Sequence, residues 1–352
     1  MNLDSLDLKK VDPSDMYDRI FRFPEQLEKA AEIGCTIKIE LPSFDTIRNI
    51  VVAGMGGSAI GGDLVRSFLG PRLKIPFAVC RNYHLPGYVD NDSLVMASSY
   101  SGNTEETLSA YQEAVARGAR IIAITTGGKL ADLAARNNHP IITIPGGFPP
   151  RSALGFSVVP ILFIMEKLGI IEGVEKDLDE LVRGLKNYRE IYAVETPKSK
   201  NPAKSLAAKL LNRIPLIYTG PDLTEVIGTR WKGQICENAE SLAFNNQFPE
   251  FNHNELVGFN KIDPYRNHLI ALFLRDSDDH ERIQKRMSVV KGYLENNGIE
   301  VVDVISQGDF PLGRIFSLIQ IGDFASFYLA VLNGVDPTPV KAIDFLKQKL
   351  VD

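Results

Sequence analysis

Cysteine is scarce in this sequence. Cys35, Cys80 and Cys236 are the three among 352 residues, widely spaced and odd in number, with no CxxC pair and no Cys/His cluster. Nothing here suggests a disulfide framework or a zinc site, and a reducing cytoplasm is the expected compartment. Positive charge is also short: 39 Lys and Arg against 44 Asp and Glu leave a formal charge of −5. Nucleic acid is therefore not expected as the main partner, because neutralising phosphates takes concentrated Lys and Arg, although a local basic pocket is compatible with that balance. No apolar run approaches the roughly 18 residues of a membrane span. The opening stretch, MNLDSLDLKKVDPSDMYDRI, is acidic and amphipathic, unlike the basic-then-apolar layout of a signal peptide. The expectation is a soluble protein with no membrane partner. What remains is ordinary globular composition, 44% hydrophobic and 24% charged, in a chain long enough for two domains.

Regular patterning begins at about residue 48. Short apolar runs at Ile50–Ala53, Phe77–Cys80, Ser93–Ala97, Arg120–Thr125 and Ile141–Ile144 alternate with helical stretches at Ala59–Leu69, Thr104–Arg117 and Lys129–Arg136. Strands alternating with helices predict parallel βαβ units with helices on both faces of the sheet. Val158–Gly169 reads as an apolar helix, followed by the charged helical stretch EGVEKDLDELVRGLKNYREIYAVE and the polar break TPKSKNPAK. That break, near residues 196–203, is the expected domain boundary. The second half repeats the layout loosely, with strands at Leu216–Tyr218, Leu269–Phe273 and Ile299–Val304 and helices from Thr224, up to Asn297, at 314–332 and at Val340–Lys349. The expectation is an α/β chain of two related doubly wound parallel-sheet domains: a helical extension over 1–47, a first domain over 48–196 and a second over 197–352.

In a parallel α/β sheet, ligands bind beyond the carboxyl ends of the strands, and two loops there carry unusual chemistry. The first is SSYSGNTEET at 98–107, whose Ser98, Ser99, Ser101, Thr104 and Thr107 exceed what one helix cap needs. Hydroxyls and free N–H groups at a helix N-terminus form an anion site, since the dipole is positive there, and Gly102 lets the backbone turn closely. A phosphate monoester fits that set; simple Ser/Thr capping of a strand–turn–helix is the plainer reading. Glu105 and Glu106 suit the dipole but would repel a phosphate unless they point aside. The second loop, GMGGSAIGGD, has no lysine for a phosphate-binding GxxxxGK[ST] loop. It also lacks an acidic residue after the next strand for a dinucleotide site, where Cys80-Arg81 stand instead. Gly56, Gly57 and Ser58 either admit a ligand close to the backbone or serve tight strand-to-helix packing.

Together the two loops resemble a sugar isomerase (SIS) domain, a fold that binds phosphorylated sugars. With GGFPPRSALGFSVVPIL at 146–162 and WKGQICENAESLAFNNQFPEFNHNELVGF at 231–259, the set is similar to the bifunctional phosphoglucose/phosphomannose isomerases, from about residue 48 to the C-terminus. The resemblance implies tandem sugar isomerase domains in a homodimer, with the site between domains. It also implies reversible conversion of glucose 6-phosphate and mannose 6-phosphate to fructose 6-phosphate. By motif it puts phosphate binding on Ser99, Ser101 and Thr104, with Gly57 and Ser58 lining the sugar. It makes Glu237 the catalytic base, His253 and Lys341 the ring-opening residues, and Arg151 the arginine that stabilises the intermediate. In that family the histidine comes from the partner subunit.

That inventory suffices for the chemistry. Aldose–ketose isomerisation moves a proton between C1 and C2 through a cis-enediol, which takes one carboxylate reaching both carbons, after an acid–base pair has opened the ring. A fixed cation stabilises the enediolate, and arginine supplies it without proton ambiguity; no metal or redox cofactor is required. Read from the residues alone, Glu240 rivals Glu237, one helical turn away on roughly the same face. His253 alone would read as a loop or capping residue, and Arg151, stiffened by Pro149-Pro150, as half of a surface ion pair. Lys341 opens the last helix, where a cation opposes the dipole. His280 sits at an acidic helix start, and His84, His139 and His268 carry no motif. Two alternatives stand beside the isomerase: a non-catalytic sugar-phosphate regulator, for which residues 1–47 offer no basic recognition helix, and an aminosugar-phosphate isomerase.

Overall fold

Three short helices open the chain: α1 (Leu8–Val11), α2 (Met16–Phe21) and α3 (Phe23–Thr36). The structure, a computed structural model, describes residues 2–40 and 44–351. These fall into two units, one of residues 22–183 and one that joins the residues up to Phe21 with those from Gly184 on.

In the unit of residues 22–183, the expected βαβ succession is present: β1 (Asn49–Ala53), α4 (Gly56–Leu69), β2 (Phe77–Cys80), β3 (Ser93–Ser99), α5 (Glu105–Ala116), β4 (Arg120–Thr125), α6 (Gly128–Arg136) and β5 (Ile141–Thr143). The strands are all parallel in the order β2-β1-β3-β4-β5. β1 and β3 are buried at every position, which is why they read as unbroken apolar runs instead of alternating ones. One face of the sheet (Val51, Ala53, Val95, Ala97, Ile121, Ala123) packs on Ala110, Tyr111 and Ala114 of α5 and on Leu130 and Ala134 of α6. Beyond β5, α7 (Leu154–Lys167) is buried from Leu154 to Met165 and packs against α3 and α4. It starts one turn earlier than expected because the Gly155 N–H donates to Oε1 of Gln26 at 2.8 Å, a cap for the helix end supplied from a residue remote in sequence.

α8 (Val174–Tyr192) spans the division between units. The second unit continues with α9 (Pro202–Leu210), β6 (Ile214–Thr219), α10 (Glu225–Ala239), β7 (Phe244–Gln247), β8 (Leu269–Arg275), α11 (Glu281–Asn296), β9 (Glu300–Ile305), α12 (Pro311–Asn333) and α13 (Lys341–Val351). Its sheet is parallel in the order β7-β6-β8-β9. α12 is long and apolar enough to cross a membrane by length and composition, but 89% of that stretch is buried within the protein; it is the core helix against which α9 and α10 pack. α2 docks on it. Tyr17 lies 5.4 Å from the Phe327 ring and 6.1 Å from Phe324. Asp4 accepts from the Lys198 N–H at 2.7 Å and from Nζ of Lys204 at 3.2 Å. Lys204, part of the polar break read as a linker, is 0% exposed, its ammonium also donating to the Val194 carbonyl at 2.7 Å.

Beyond the carboxyl ends of this second sheet the protein's own carboxylates gather. Asp279 packs so close to Gly220 that an added Cβ there would meet its Oδ1 at 2.3 Å, and it accepts from the Asp276 N–H at 3.0 Å. Asp276 accepts from Ser306 at 2.7 Å and from Nε of Arg314 at 3.0 Å. Burial first, then the charges of Asp276 and Asp222, push the Asp279 carboxyl up to about 6 from 3.8. Because the folded value is raised, the folded chain binds more protons than the unfolded one between those two pH values. Stability therefore falls as pH climbs through that window, by roughly 3 kcal/mol once Asp279 is ionised. Asp279→Asn keeps the acceptor for Asp276 and removes the charge. Its melting temperature should exceed the parent's by roughly 5 °C at pH 7.5 and match it at pH 4; an equal gain at both would contradict the assignment.

Candidate active site

The first sheet reverses its strand order between β1 and β3, where α4 and α5 leave in opposite directions, and the two glycine- and hydroxyl-rich loops flank that switch point. Neither helix is capped by the side chain that precedes it: Met55 stands before α4 and Thr104 before α5, and neither side chain accepts from a helix N–H. The capping reading of the hydroxyls therefore fails for Thr104, which instead shares a 2.9 Å hydrogen bond with the buried Ser99 hydroxyl. Ser99 Oγ also accepts from the Gly102 N–H at 3.1 Å, and exposed Ser101 accepts from Asn103 at 3.2 Å. Thr107 Oγ1, one turn into α5, is buried without a hydrogen bond. Gly102 is obligatory: its φ is +69°, and a Cβ would sit 1.8 Å from the Gly127 carbonyl of the neighbouring loop. Glu105 turns toward the exposed Tyr83 hydroxyl, 3.4 Å away, so its charge is directed aside.

Gly57 and Ser58 open α4, and the same unit brings Arg151 to them. A Cβ on Gly57 would meet the Pro150 carbonyl at 2.7 Å and the Arg151 Cα at 3.8 Å, so the glycine is what lets these backbones touch. Arg151 sits in the tight turn Pro150–Ser152 and is 6% exposed, unlike half of a surface ion pair. The turn is pinned by Ser152 N–H to Pro149 O at 2.9 Å and by Gln26 Nε2 to Ser152 O at 2.8 Å.

The other candidate residues belong to the second unit. α10 runs through Glu237 to Ala239 and ends on Glu240 in left-handed conformation, φ 49° and ψ 37°. Glu237 and Glu240 both line a cavity of about 580 Å³, together with Cys236, Ser241 and Leu242 on one wall and Pro339, Val340, Lys341, Ala342 and Ile343 on the other. Glu237, Glu240 and Lys341, the first residue of α13, thus border one space large enough for a hexose phosphate. His253 is not on that wall. It ends the short 3-10 turn Glu250–His253 after β7 and is exposed. Its neighbours are used locally, Asn252 accepting from Arg286 at 3.2 Å and Asn254 donating to Glu250 at 2.6 Å. His139 bonds the Tyr111 hydroxyl at 2.8 Å, and His280 caps α11 by accepting from the Arg282 N–H at 3.1 Å; neither joins a candidate site. Cys236, Ser241 and Leu242 escaped sequence reasoning although they lie inside the motif that supplied Glu237.

Comparison with known proteins finds matches along most of the chain. The bacterial phospho-glucose isomerase C-terminal SIS domain matches residues 199–350, and the SIS domain matches residues 44–162. A bifunctional phosphoglucose/phosphomannose isomerase of Caldicellulosiruptor bescii is 50% identical over 341 residues, 96% of this chain and 99% of that one. The chain belongs to this family. A member from Aquifex aeolicus is 39% identical over 304 residues, covering 86% of this chain and 90% of its own. The fold recurs more widely: tagatose-6-phosphate ketose/aldose isomerase from Escherichia coli superposes with a TM-score of 0.70 at 14% identity, over 92% of this chain and 94% of that one. The two-sheet SIS architecture expected from the sequence is thus present.

Proposed function

We propose that this protein reversibly isomerises glucose 6-phosphate and mannose 6-phosphate to fructose 6-phosphate through a cis-enediol. The observation that carries the reading, within this family, is the cavity that Glu237 and Lys341 both line. In this reading the 6-phosphate is held by Ser99, Ser101 and Thr104 with the uncapped first turn of α5, and Gly57 and Ser58 admit the sugar close to the backbone. His253 and Lys341 open the ring, one taking the proton of the C1 hydroxyl while the other protonates the ring oxygen. Glu237 then removes the proton at C2 and returns it to C1, and the guanidinium of Arg151 stabilises the enediolate oxygen. One carboxylate suffices because the two carbons are adjacent and the intermediate is planar. The exposure of His253 away from the Glu237 wall suits a homodimer in which each protomer receives this histidine from its partner. Reduced cysteines fit work in the cytoplasm, with phosphorylated hexoses as the partners.

The test is turnover by purified protein with glucose 6-phosphate and then mannose 6-phosphate, following fructose 6-phosphate. Product from both supports the reading. Binding without turnover returns the regulator, and turnover of an aminosugar phosphate alone returns the other isomerase.

A further inference from the structure

Glu237 lies in the last turn of α10, the part of a helix that frays first and whose carbonyls have no partner within the helix. The helix then ends on a conformation unfavourable for a residue with a side chain. Glu240 adopts φ 49°, a left-handed geometry that glycine takes freely and other residues adopt at a cost. Such a turn persists only where its surroundings hold it. Three hydrogen bonds tie this turn to α12. Asn238 donates to the Ser326 hydroxyl at 2.9 Å, and Asn333 uses its amide twice, donating to the Ala239 carbonyl at 2.8 Å and to the Ser241 hydroxyl at 2.9 Å. The Asn333 bonds therefore bracket Glu240 on both sides and satisfy the carbonyl that ends α10.

Asn333 is also the last residue of α12. Gly334 closes that helix in left-handed conformation at φ 71°, and the chain then runs through 335–338 to Pro339, where the second wall of the cavity begins. One side chain thus ties the wall bearing Glu237 to the origin of the segment bearing Lys341. We propose that Asn333 is a positioning residue: by clamping the left-handed turn at Glu240 against the end of α12, it fixes the Glu237 carboxylate relative to the Lys341 arm. This rests on Glu237 being the base. Asn333 does not touch the reacting carbons; it acts through the turn.

Such a clamp has an effect that a merely structural role does not. If it works by holding residue 240 left-handed, a residue that favours that conformation by itself should make the clamp redundant. Asn333→Ala and Asn333→Asp, the latter isosteric but without the donor, should each lower kcat by about 10- to 100-fold, the scale expected for misplacing a catalytic group by an ångström or less. KM for the sugar phosphate should stay nearly unchanged, because the phosphate-binding residues are elsewhere. In a Glu240→Gly background the same Asn333→Ala step should cost about threefold or less. An equal kcat loss in both backgrounds would overturn the proposal, as would a rise in KM without loss of kcat or full activity of both Asn333 variants. Glu237→Gln, run in parallel, separates the two claims. If it turns over at the parent rate, the base reading fails and this proposal falls with it; if it is inactive while the Asn333 variants are unimpaired, only the clamp is refuted.

Discussion

Glu237→Gln should lose turnover on the order of 10³-fold while still binding sugar phosphate with nearly the parent affinity. The amide matches the carboxylate in shape and fills the same position on the cavity wall, but it accepts no proton at neutral pH, and general-base removal is worth about 10² to 10⁴ in rate. Binding survives because the groups proposed to hold the phosphate, Ser99, Ser101 and Thr104, lie in the other unit, at the end of β3 and in the loop that follows it. A loss confined to kcat is the signature of an interaction made only in the transition state. Exchange gives a second readout. A single carboxylate shuttling protons between adjacent carbons lets solvent deuterium enter the sugar, and the variant should abolish that incorporation along with turnover. If Glu237→Gln exchanges and turns over normally, Glu240, on the same wall, becomes the base.

The second large effect is on stability. Asp323 of α12 accepts from Arg230 at 2.6 Å and from Gln234 at 3.0 Å, both on α10, with Arg230 4% and Asp323 6% exposed. Asp323→Ala strips the guanidinium of its counter-charge in a site water hardly reaches, which costs about 3 to 5 kcal/mol. That is a large share of the stability of an ordinary domain. Chemical denaturation should show an early transition of this unit. Replacing the pair together, Arg230→Met with Asp323→Leu, should recover most of the loss, because a buried ion pair contributes little beyond an apolar pair of similar volume. If the double variant is as unstable as the single one, the network has a role beyond mutual neutralisation.

The strands of the first sheet were legible in the sequence because burial on both faces makes them unbroken apolar runs. β7 was missed: its residues Phe244, Asn245, Asn246 and Gln247 form an edge strand with none of them fully buried, so no hydrophobic period marks it. Lys204 reads as linker polarity, yet it is wholly buried by partners at Asp4 and Val194, a pairing set by tertiary contact between residues far apart in the chain. The surplus of hydroxyls in the loop after β3 is visible in the letters, whereas the pairing of Thr104 with Ser99 in place of a cap appears only in the fold. Spacing along the sequence cannot reveal that α10 stops between Glu237 and Glu240 or that Glu240 turns left-handed.

The docking of α2 onto α12 has a consequence during synthesis. Asp4 and Tyr17 leave the ribosome well before their partners Lys204, Phe324 and Phe327. The unit of residues 22–183 is complete long before those partners exist and is free to fold while translation continues. The N-terminal segment must wait, with Met16 and Ile20, both buried in the finished fold, still exposed. A nascent chain stalled before α12 would present a sheet domain preceded by an undocked, amphipathic segment, a form open to chaperones and proteases until α12 is made.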